Sequence, residues 1–377
     1  MARLEYPADW ATLNVVLCHD WLTGMRGGER VLEILCDAFP KAPIYTLLHY
    51  PAAVSTTINR HPVHASWLQR LPGMQRNYRH WLPLFPSAIE DFQVPEGEDL
   101  VISTSHCVAK GIRPPPLTRH LCYCFTPMRY AWLFQAEYLG RNPVKRLLAA
   151  PLLAWLRRWD RRTLCRVDRF VALSRHVQER IRKFYDREAD VVYPPVAADY
   201  WTPDGQPPAD FDLVVSALVP YKRIDLAVAA YNRLGRPLKI VGVGTELPRL
   251  RALAGPNIEF LGWQPDERVR DLYRRCRALI FPGEEDFGLV PLEAQACGRP
   301  VVALARGGLL ETVRDGVTGV FFQQQTADDL RRAVEDCHAR SWDSAAIRAH
   351  AEQFSPAAFV AGLAASIAKT LKGRIKP

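Results

Sequence analysis

Two glutamates on either side of a predicted helix start, Glu285 and Glu293, carry the clearest chemistry in this sequence. The backbone amides of Gly288, Leu289 and Val290 fall between them, at the helix N-terminus. Carboxylates accept hydrogen bonds from hydroxyl groups, and amides at a helix start donate them, so the set suits a ligand rich in hydroxyls. The alternative from spacing alone is that Glu285 is solvated and that Glu293 lies on an exposed helix face.

The elements around these glutamates form a strand–loop–helix–strand unit. One apolar strand, Ala278 to Phe281, precedes the acidic loop, and another, Val301 to Ala303, follows the helix. We expect the helix to begin near Leu289, with Pro291 in a first turn where its missing N–H is tolerated, and to end at Gly298. In open α/β sheets, ligands bind beyond the carboxyl ends of the strands, where this loop would lie.

A second candidate site is the pair Gly27-Gly28, which follows the first predicted strand, residues 13–18. The pair directly precedes a predicted helix over residues 29–39. Glycine amides before a helix approach an anion such as phosphate closely. A left-handed turn that binds nothing is the alternative for the same two residues.

Composition sets the class of protein. The chain has 377 residues, 48% of them hydrophobic, and Lys plus Arg exceed Asp plus Glu by nine. Nine scattered cysteines without a CxxC pair argue against a disulfide framework and a structural zinc site, and they favour a reducing cytoplasm. No signal peptide pattern is evident, and the longest apolar run, residues 147–156, is too short to span a bilayer.

Much of the positive charge lies in one stretch, residues 141–169, which we expect to form a basic helix. It contains nine Lys and Arg against two Asp, with leucines and tryptophans beside them. Anionic lipid headgroups would bind such a stretch, at about 1 kcal/mol per basic residue. A core helix with a solvated basic face is the alternative. We do not expect nucleic acid binding, because no recognised motif accompanies the charge.

The order of predicted elements indicates two domains. Apolar strands alternate with helices in both halves, which predicts parallel sheets with helices on both faces. The pair Pro194-Pro195 forms a stiff break. We therefore expect a first doubly wound domain over residues 1–195, a second over 196–355, and a terminal helix, 356–377, that packs back on the first. The two domains would face a deep cleft.

Five segments together resemble one family, the retaining glycosyltransferases of family 4 with the GT-B fold, and most closely the branch with O-antigen mannosyltransferases. The resemblance runs from residue 14 to about residue 370 and is weakest over residues 51–98. The segments are Arg26-Gly27-Gly28-Glu29-Arg30, Thr126-Pro127-Met128-Arg129-Tyr130-Ala131-Trp132, Val192-Tyr193-Pro194-Pro195-Val196, Leu218-Val219-Pro220-Tyr221-Lys222-Arg223-Ile224-Asp225, and the stretch from Phe281 to Val302.

The resemblance implies separate roles for the two glutamates. Glu293 would hold the ribose hydroxyls of a nucleotide-sugar donor. Glu285 would hold the hydroxyls of the donor sugar. The backbone amides that act with Glu285 would be those of Phe287, Gly288, Leu289 and Val290.

The resemblance also implies how the diphosphate and the base are bound. Lys222 and the amides of Gly27 and Gly28 would stabilise the charge that develops on the leaving diphosphate. The segment around Trp263 would read the base. No metal ion or other cofactor is expected, since no Asp-x-Asp stands at a suitable place.

Two positions depart from the family pattern. The family's usual arginine, five residues before Lys222, is Ala217 here, and Arg223 would have to supply the second charge. The usual histidine before the Thr-Pro pair is Phe125 here, and Arg129 is the nearest polar candidate. The expected catalytic set is thus Glu285, Lys222 and Arg129. His106, which ends another predicted strand, is either a base or ligand or a structural histidine.

The function implied is transfer of a hexose, with mannose favoured, from GDP-mannose or a UDP-hexose with retention of anomeric configuration. The acceptor would be a lipid-linked glycan in polysaccharide or O-antigen synthesis. The protein would be cytoplasmic and peripheral at the inner, anionic face of the cytoplasmic membrane. The alternative is a catalytically impaired nucleotide-sugar-binding or membrane-associated protein.

Overall fold

The chain forms two compact units, each built on a parallel sheet. A computed structural model describes residues 4–74, 78–133 and 143–372. The first unit comprises Leu4–Pro194 and the chain from Phe359 onward, and the second comprises Pro195–Ala358.

The first unit holds seven parallel strands in the order β3-β2-β1-β4-β5-β6-β7. Three neighbouring strands in this order, β2, β1 and β4, are buried throughout, as expected where helices cover both faces of a parallel sheet. The strand order reverses between β1 and β4, the topological switch point of this sheet. The strands are β1 (Val15–His19), β2 (Ile44–Thr46), β3 (Val63–Ala65), β4 (Leu100–Ser105), β5 (Arg119–Cys124), β6 (Arg169–Ala172) and β7 (Ala189–Val191).

Helices of the first unit fill the connections between these strands. The described ones are α1 (Gly27–Ala38), α2 (Thr56–Asn59), α3 (Phe85–Glu90), α4 (Arg129–Trp132), α5 (Pro143–Arg162) and α6 (Arg175–Tyr185). A buried apolar cluster on one face of the sheet includes Val16, Val101, Leu156 and Trp159. The carboxyl ends of β1 and β4 are therefore supported by a packed core.

The second unit repeats the plan with six parallel strands in the order β10-β9-β8-β11-β12-β13. Here the order reverses between β8 and β11. The strands are β8 (Asp212–Val215), β9 (Leu238–Val241), β10 (Ile258–Gly262), β11 (Leu279–Phe281), β12 (Val301–Leu304) and β13 (Gly319–Phe322). The helices of this unit are α7 (Ile224–Leu234), α8 (Leu247–Leu253), α9 (Asp266–Arg275), α10 (Leu289–Ala296), α11 (Leu309–Thr312), α12 (Ala327–Ala339) and α13 (Ser344–Glu352). The last helix, α14 (Pro356–Lys372), belongs from Phe359 onward to the first unit.

Helix α14 packs on the edge of the first sheet. The ring of Phe359 contacts that of Tyr123 with centroids 5.6 Å apart, and Asp190 on β7 binds Ser366 and Lys369, each at 3.1 Å. The segment Ser344–Lys372 is long and apolar enough, by length and composition, to cross a membrane. It is nevertheless broken into two helices, the second opening with a proline, and its apolar side chains are largely used in packing.

Three predictions of local structure were wrong. Helix α1 begins at Gly27, two residues before the predicted start. The basic helix does not run to residue 169, because α5 ends at Arg162, a 3-10 turn covers Thr163–Arg166 and β6 begins at Arg169; residues 141 and 142 lie outside the described residues. The region 51–98, predicted as short helices and loops, also contributes the edge strand β3, which pairs with β2.

A buried ion pair joins α5 to the loop after β4. Lys110 Nζ lies 2.7 Å from the Asp160 carboxylate and 3.0 Å from Thr163 Oγ1, and Trp132 Nε1 donates to the same carboxylate at 2.7 Å. Both charged side chains are almost inaccessible. The pair therefore fixes α5 to the sheet, because each charge depends on the other for compensation.

Substituting Lys110→Met is expected to lower the free energy of unfolding by about 3–5 kcal/mol, since it leaves the Asp160 carboxylate buried without its cation. Urea denaturation followed by circular dichroism measures the loss. The exposed Lys41→Met in the same unit is the matched control and should change little. If the two substitutions lower the free energy of unfolding equally, the buried pair makes no specific contribution to stability.

Candidate functional site

Lys222 and Glu285 meet at the switch point of the second sheet. Lys222 ends a 3-10 turn after β8, Glu285 follows β11, and the Lys222 ammonium pairs directly with the Glu285 carboxylate. The two loops come so close because Gly283 has no side chain: a Cβ there would lie 2.8 Å from the Lys222 carbonyl oxygen. A larger residue at this position would force the lysine away from the glutamate.

This pair is shielded from solvent but not sealed. The Lys222 side chain is 13% exposed and that of Glu285 is 21% exposed. The rings of Tyr221 and Phe281 lie 5.4 and 5.6 Å from the ammonium. An oriented, partly desolvated ammonium at a switch point is suited to bind an anionic ligand, which would compete with Glu285 for it.

Helix α10 opens beside the pair. Gly288 is its N-cap and has a φ of +110°, in the left-handed region that favours glycine. The carbonyl oxygen of Glu285 accepts from the Gly308 amide at 2.8 Å, so the acidic loop is fastened to the loop after β12. The first amides of a helix have no partner within the helix. Those of Leu289 and Val290 can therefore donate hydrogen bonds to oxygen atoms of a ligand.

Glu293 is held rather than solvated. It lies on α10, half-buried, and its Oε2 accepts from the Tyr273 hydroxyl at 3.0 Å. Burial, together with the Glu293 charge, raises the pKa of Tyr273 well above its usual value, so the phenol stays a donor. The prediction that Glu293 might lie on an exposed helix face is wrong, and the bond to Tyr273 was not foreseen. The only sign of this bond in the sequence is the apolar face of α9. Tyr273 lies on that face, and its ring contacts the ring of Trp201.

Two exposed apolar side chains stand at the ends of adjacent strands. Trp263 follows β10 and is 71% exposed, and Val243 follows β9 and is 53% exposed. Gly262 has a φ of +69°, and its carbonyl accepts from the Gly242 amide at 2.7 Å, which joins the two strand ends. Together the side chains offer an apolar surface for a planar group such as a nucleobase. Val243 was not singled out from the sequence.

Arg223 is occupied within its own unit. It adopts a left-handed backbone with a φ of +53°, and its Nε lies 3.1 Å from the Asp225 carboxylate. Its guanidinium also donates to Gln325 at 3.4 Å. Ala217, where the family pattern has arginine, is exposed. Among these residues, Lys222 is the cation that lies at the switch point beside Glu285.

In the first unit, Gly27 and Gly28 form the first turn of α1. Neither has a positive φ, so the left-handed turn considered as an alternative is wrong. The Glu29 carboxylate accepts from the Arg26 amide at 3.1 Å and caps the helix. A Cβ at Gly28 would lie 3.2 Å from the Phe125 ring, so the small residue leaves room for that ring. Arg129 opens α4 after β5 and is half-buried.

The predicted site residues therefore fall into two sets, one in each unit. Lys222, Glu285, the start of α10 and Glu293 come together in the second unit. Gly28 and Phe125 come together in the first.

Comparison with known proteins agrees with this architecture. Residues 208–353 match the family model described as glycosyl transferases group 1. The D-inositol 3-phosphate glycosyltransferase of Mycobacteroides abscessus is 35% identical over 191 residues, which cover 44% of this chain and 43% of that protein. The aligned part spans less than half of the first curated relatives that the chain matches.

Solved structures extend the likeness to nearly the whole chain. Sucrose-phosphate synthase from Thermosynechococcus elongatus superimposes with a TM-score of 0.72, covering 96% of this chain and all of that one at 17% identity. Anabaena HepE in complex with UDP-glucose superimposes with a TM-score of 0.63 over 96% of this chain and all of that one, at 18% identity. The predicted fold class is thereby confirmed as GT-B, with two parallel-sheet α/β units. Residues 208–353 thus resemble the group 1 glycosyltransferases, and the two units together have the GT-B fold.

Proposed function

We propose that the protein is a retaining glycosyltransferase that moves a hexose from a nucleotide-diphosphate sugar to a glycan acceptor. The observation that carries the proposal is the Lys222–Glu285 pair at the switch point of the second sheet, with Glu293 one helical turn into the adjoining helix. These residues offer a cation for phosphate and two carboxylates for hydroxyl groups in one place. That combination matches the chemistry of a nucleotide sugar better than that of a simple sugar or a simple anion.

Each residue has a distinct role in the proposed reaction. The bond from the anomeric carbon to the diphosphate oxygen breaks, and Lys222 stabilises the negative charge left on that oxygen. When the diphosphate replaces Glu285 as the partner of Lys222, the Glu285 carboxylate and the amides from Phe287 to Val290 bind hydroxyl groups of the sugar. Glu293, oriented by Tyr273, accepts from the ribose hydroxyls.

Other groups are proposed within each unit separately. In the second unit, we propose that Trp263 and Val243 flank the base and that Arg223 adds to phosphate binding. In the first unit, the amides of Gly27 and Gly28 are proposed to bind phosphate, and Arg129 is proposed as a polar group for a sugar hydroxyl. No metal ion is proposed, since side chains supply the positive charge.

The proposed donor is GDP-mannose or a UDP-hexose, and mannose is the sugar first to test. UDP-glucose in the HepE complex supports a nucleotide-diphosphate hexose of this general kind. The proposed acceptor is a lipid-linked glycan of polysaccharide or O-antigen synthesis, and the protein would act in the cytoplasm at the inner membrane face.

A panel of nucleotide sugars tests the proposal directly. Thermal-shift screening should find one donor that stabilises the protein, and assays with that donor should release nucleoside diphosphate. A stabilising donor without hydrolysis or transfer would favour the alternative of a catalytically impaired binding protein. No stabilisation by any nucleotide sugar would overturn the proposal.

Membrane association is proposed through the exposed face of α5. Leu147 and Leu148 are 74% and 75% exposed, and Trp155 is also exposed, two turns further along the helix. Arg158 continues the same face, whereas Leu156 and Trp159 point into the core. An apolar row followed by basic residues suits the interface of an anionic bilayer.

Part of the charge of the basic stretch is paired or hydrogen-bonded within the protein. Arg162 and Arg166 both pair with Glu90, at 3.4 and 2.9 Å, and Arg157 donates to the Ala131 carbonyl at 2.8 Å. Fewer basic side chains are therefore available to lipid headgroups than their number in the sequence suggests. The exposed apolar side chains should contribute a correspondingly larger share of membrane binding.

A variant that carries Leu147→Ser, Leu148→Ser and Trp155→Ser is expected to bind anionic vesicles at least about tenfold more weakly, since full burial of each such side chain contributes about 1.5–3 kcal/mol. Co-sedimentation with vesicles of zwitterionic lipid, with and without anionic lipid, measures the change. Leu117→Ser removes an equally exposed leucine elsewhere in the same unit and is the control. If the triple variant binds as the wild type does, α5 is not the membrane face.

A further inference from the structure

The switch point of the first sheet holds a histidine that the proposed donor site does not use. His106 directly follows β4, and Asp20 directly follows β1, the strand beside it. The His106 Nδ1 lies 3.0 Å from the Asp20 carboxylate. An oriented Asp–His pair thus lies at two neighbouring strand ends. These ends form the switch point of the sheet, where ligands of such sheets bind.

Asp20 organises the whole loop that carries His106. Its two carboxylate oxygens accept four consecutive backbone amides, at distances between 2.6 and 2.9 Å: those of His106, Cys107, Val108 and Ala109. Burial alone would raise the pKa of Asp20, but the charge and hydrogen bonds of His106 outweigh it and bring the pKa to about 2. Asp20 is therefore ionised, and it accepts the Nδ1 proton of His106.

This arrangement defines what the other ring nitrogen can do. With the proton on Nδ1, Nε2 of a neutral imidazole is an acceptor. Asp20 is the sole hydrogen-bond partner of the His106 ring among the described residues, and the side chain is 26% exposed. Trp21 packs against the ring edge with centroids 4.5 Å apart, and Phe125 lies 6.3 Å away. The imidazole is thus oriented by its neighbours and still reachable by a ligand.

Among the described residues, two further titratable side chains lie near His106. Burial lowers the pKa of His19 to about 4, so this second histidine is neutral near pH 7, and it bonds to Thr104 at 2.7 Å. Burial raises the pKa of Glu29, whose carboxylate lies 4.0 Å from His19 and caps α1. The titratable groups that face His106 are thus Asp20, His19 and Glu29, and all three are engaged within the protein.

We infer that His106 contacts the glycan acceptor: its Nε2 accepts a hydrogen bond from a hydroxyl group of the acceptor. The inference rests on the proposed function, because it presupposes a sugar acceptor. This hydrogen bond orients the hydroxyl and increases the electron density on its oxygen.

The test compares wild type, His106→Gln and His64→Gln. His64 is an exposed histidine on the edge strand of the same unit, stacked on Tyr45 with centroids 4.8 Å apart, and it serves as the matched control. With the stabilising donor and its acceptor, His106→Gln should transfer sugar about tenfold to 100-fold more slowly. Thermal stabilisation by the nucleoside diphosphate and the melting temperature should stay as in wild type, within about 2 °C.

The kinetic constants separate contact with the acceptor from a structural role. The KM for the acceptor should rise in His106→Gln, whereas the KM for the donor should stay as in wild type. Equal transfer by His106→Gln and wild type, or an unchanged KM for the acceptor, would overturn the inference and leave the proposed function intact. If wild type transfers sugar from no donor, the proposed function fails, and the inference fails with it.

Discussion

Lys222→Ala is expected to reduce sugar transfer by about 100-fold to 1,000-fold, the usual loss when one group that stabilises a developing negative charge is removed. The reason is positional. The ammonium is held at the switch point by Glu285, Tyr221 and Phe281, so little reorganisation is needed when charge appears on the leaving diphosphate. Initial rates of nucleoside diphosphate release under saturating donor measure the effect on turnover.

The control for this substitution is Lys239→Ala. Lys239 lies on β9 of the same unit and pairs at 3.6 Å with Glu259, which is largely exposed. Its removal takes away the same charge from the same unit but not from the switch point. Similar rates for the two alanine variants would contradict the assignment of Lys222, whereas a selective loss with Lys222→Ala would support it.

Glu293→Ala is expected to weaken donor binding by about 10-fold to 100-fold, since a hydrogen bond to a charged group contributes about 1.5–3 kcal/mol. The carboxylate is proposed to accept from the ribose, so the loss should appear mainly in the affinity for the donor. Isothermal titration with the nucleoside diphosphate measures it without any need for turnover.

Tyr273→Phe separates binding by Glu293 from its orientation. The substitution removes the hydroxyl that donates to Glu293 at 3.0 Å but leaves the carboxylate and the buried ring in place. Its affinity should lie between those of wild type and Glu293→Ala. If Glu293→Ala binds the nucleoside diphosphate as tightly as wild type, the ribose role is excluded.

The two sheets share one design, and this gives the proposals their common physical basis. In each, functional side chains follow the two strands where the strand order reverses: Lys222 and Glu285 in the second unit, Asp20 and His106 in the first. At such a place two loops diverge to opposite faces of the sheet and leave room for a ligand between them. The same geometry therefore accounts for the proposed donor site and for the proposed acceptor contact.

The sequence by itself determined the architecture of each unit, and it singled out the main residues that are proposed for the second-unit site. Alternation of short apolar strands with helices requires parallel sheets, because such strands can be covered only by helices on both faces. Local signals were also sufficient for helix α10. Its glycine N-cap, the proline in its first turn and Gly298, with a φ of +78°, each act within a few residues.

Contacts between residues far apart in the chain could be decided only by the tertiary structure. The pairing of Glu293 with Tyr273, the bond of Arg223 to Gln325, and the binding of His106 by Asp20 depend on which strands lie side by side. The pairing of Glu90 with Arg162 and Arg166 likewise could not be predicted locally, since Glu90 lies more than fifty residues before the basic residues that it binds. Hydrophobic periodicity and helix caps reflect interactions between residues that are close in the chain. These pairings instead follow from the strand order, which no local pattern encodes.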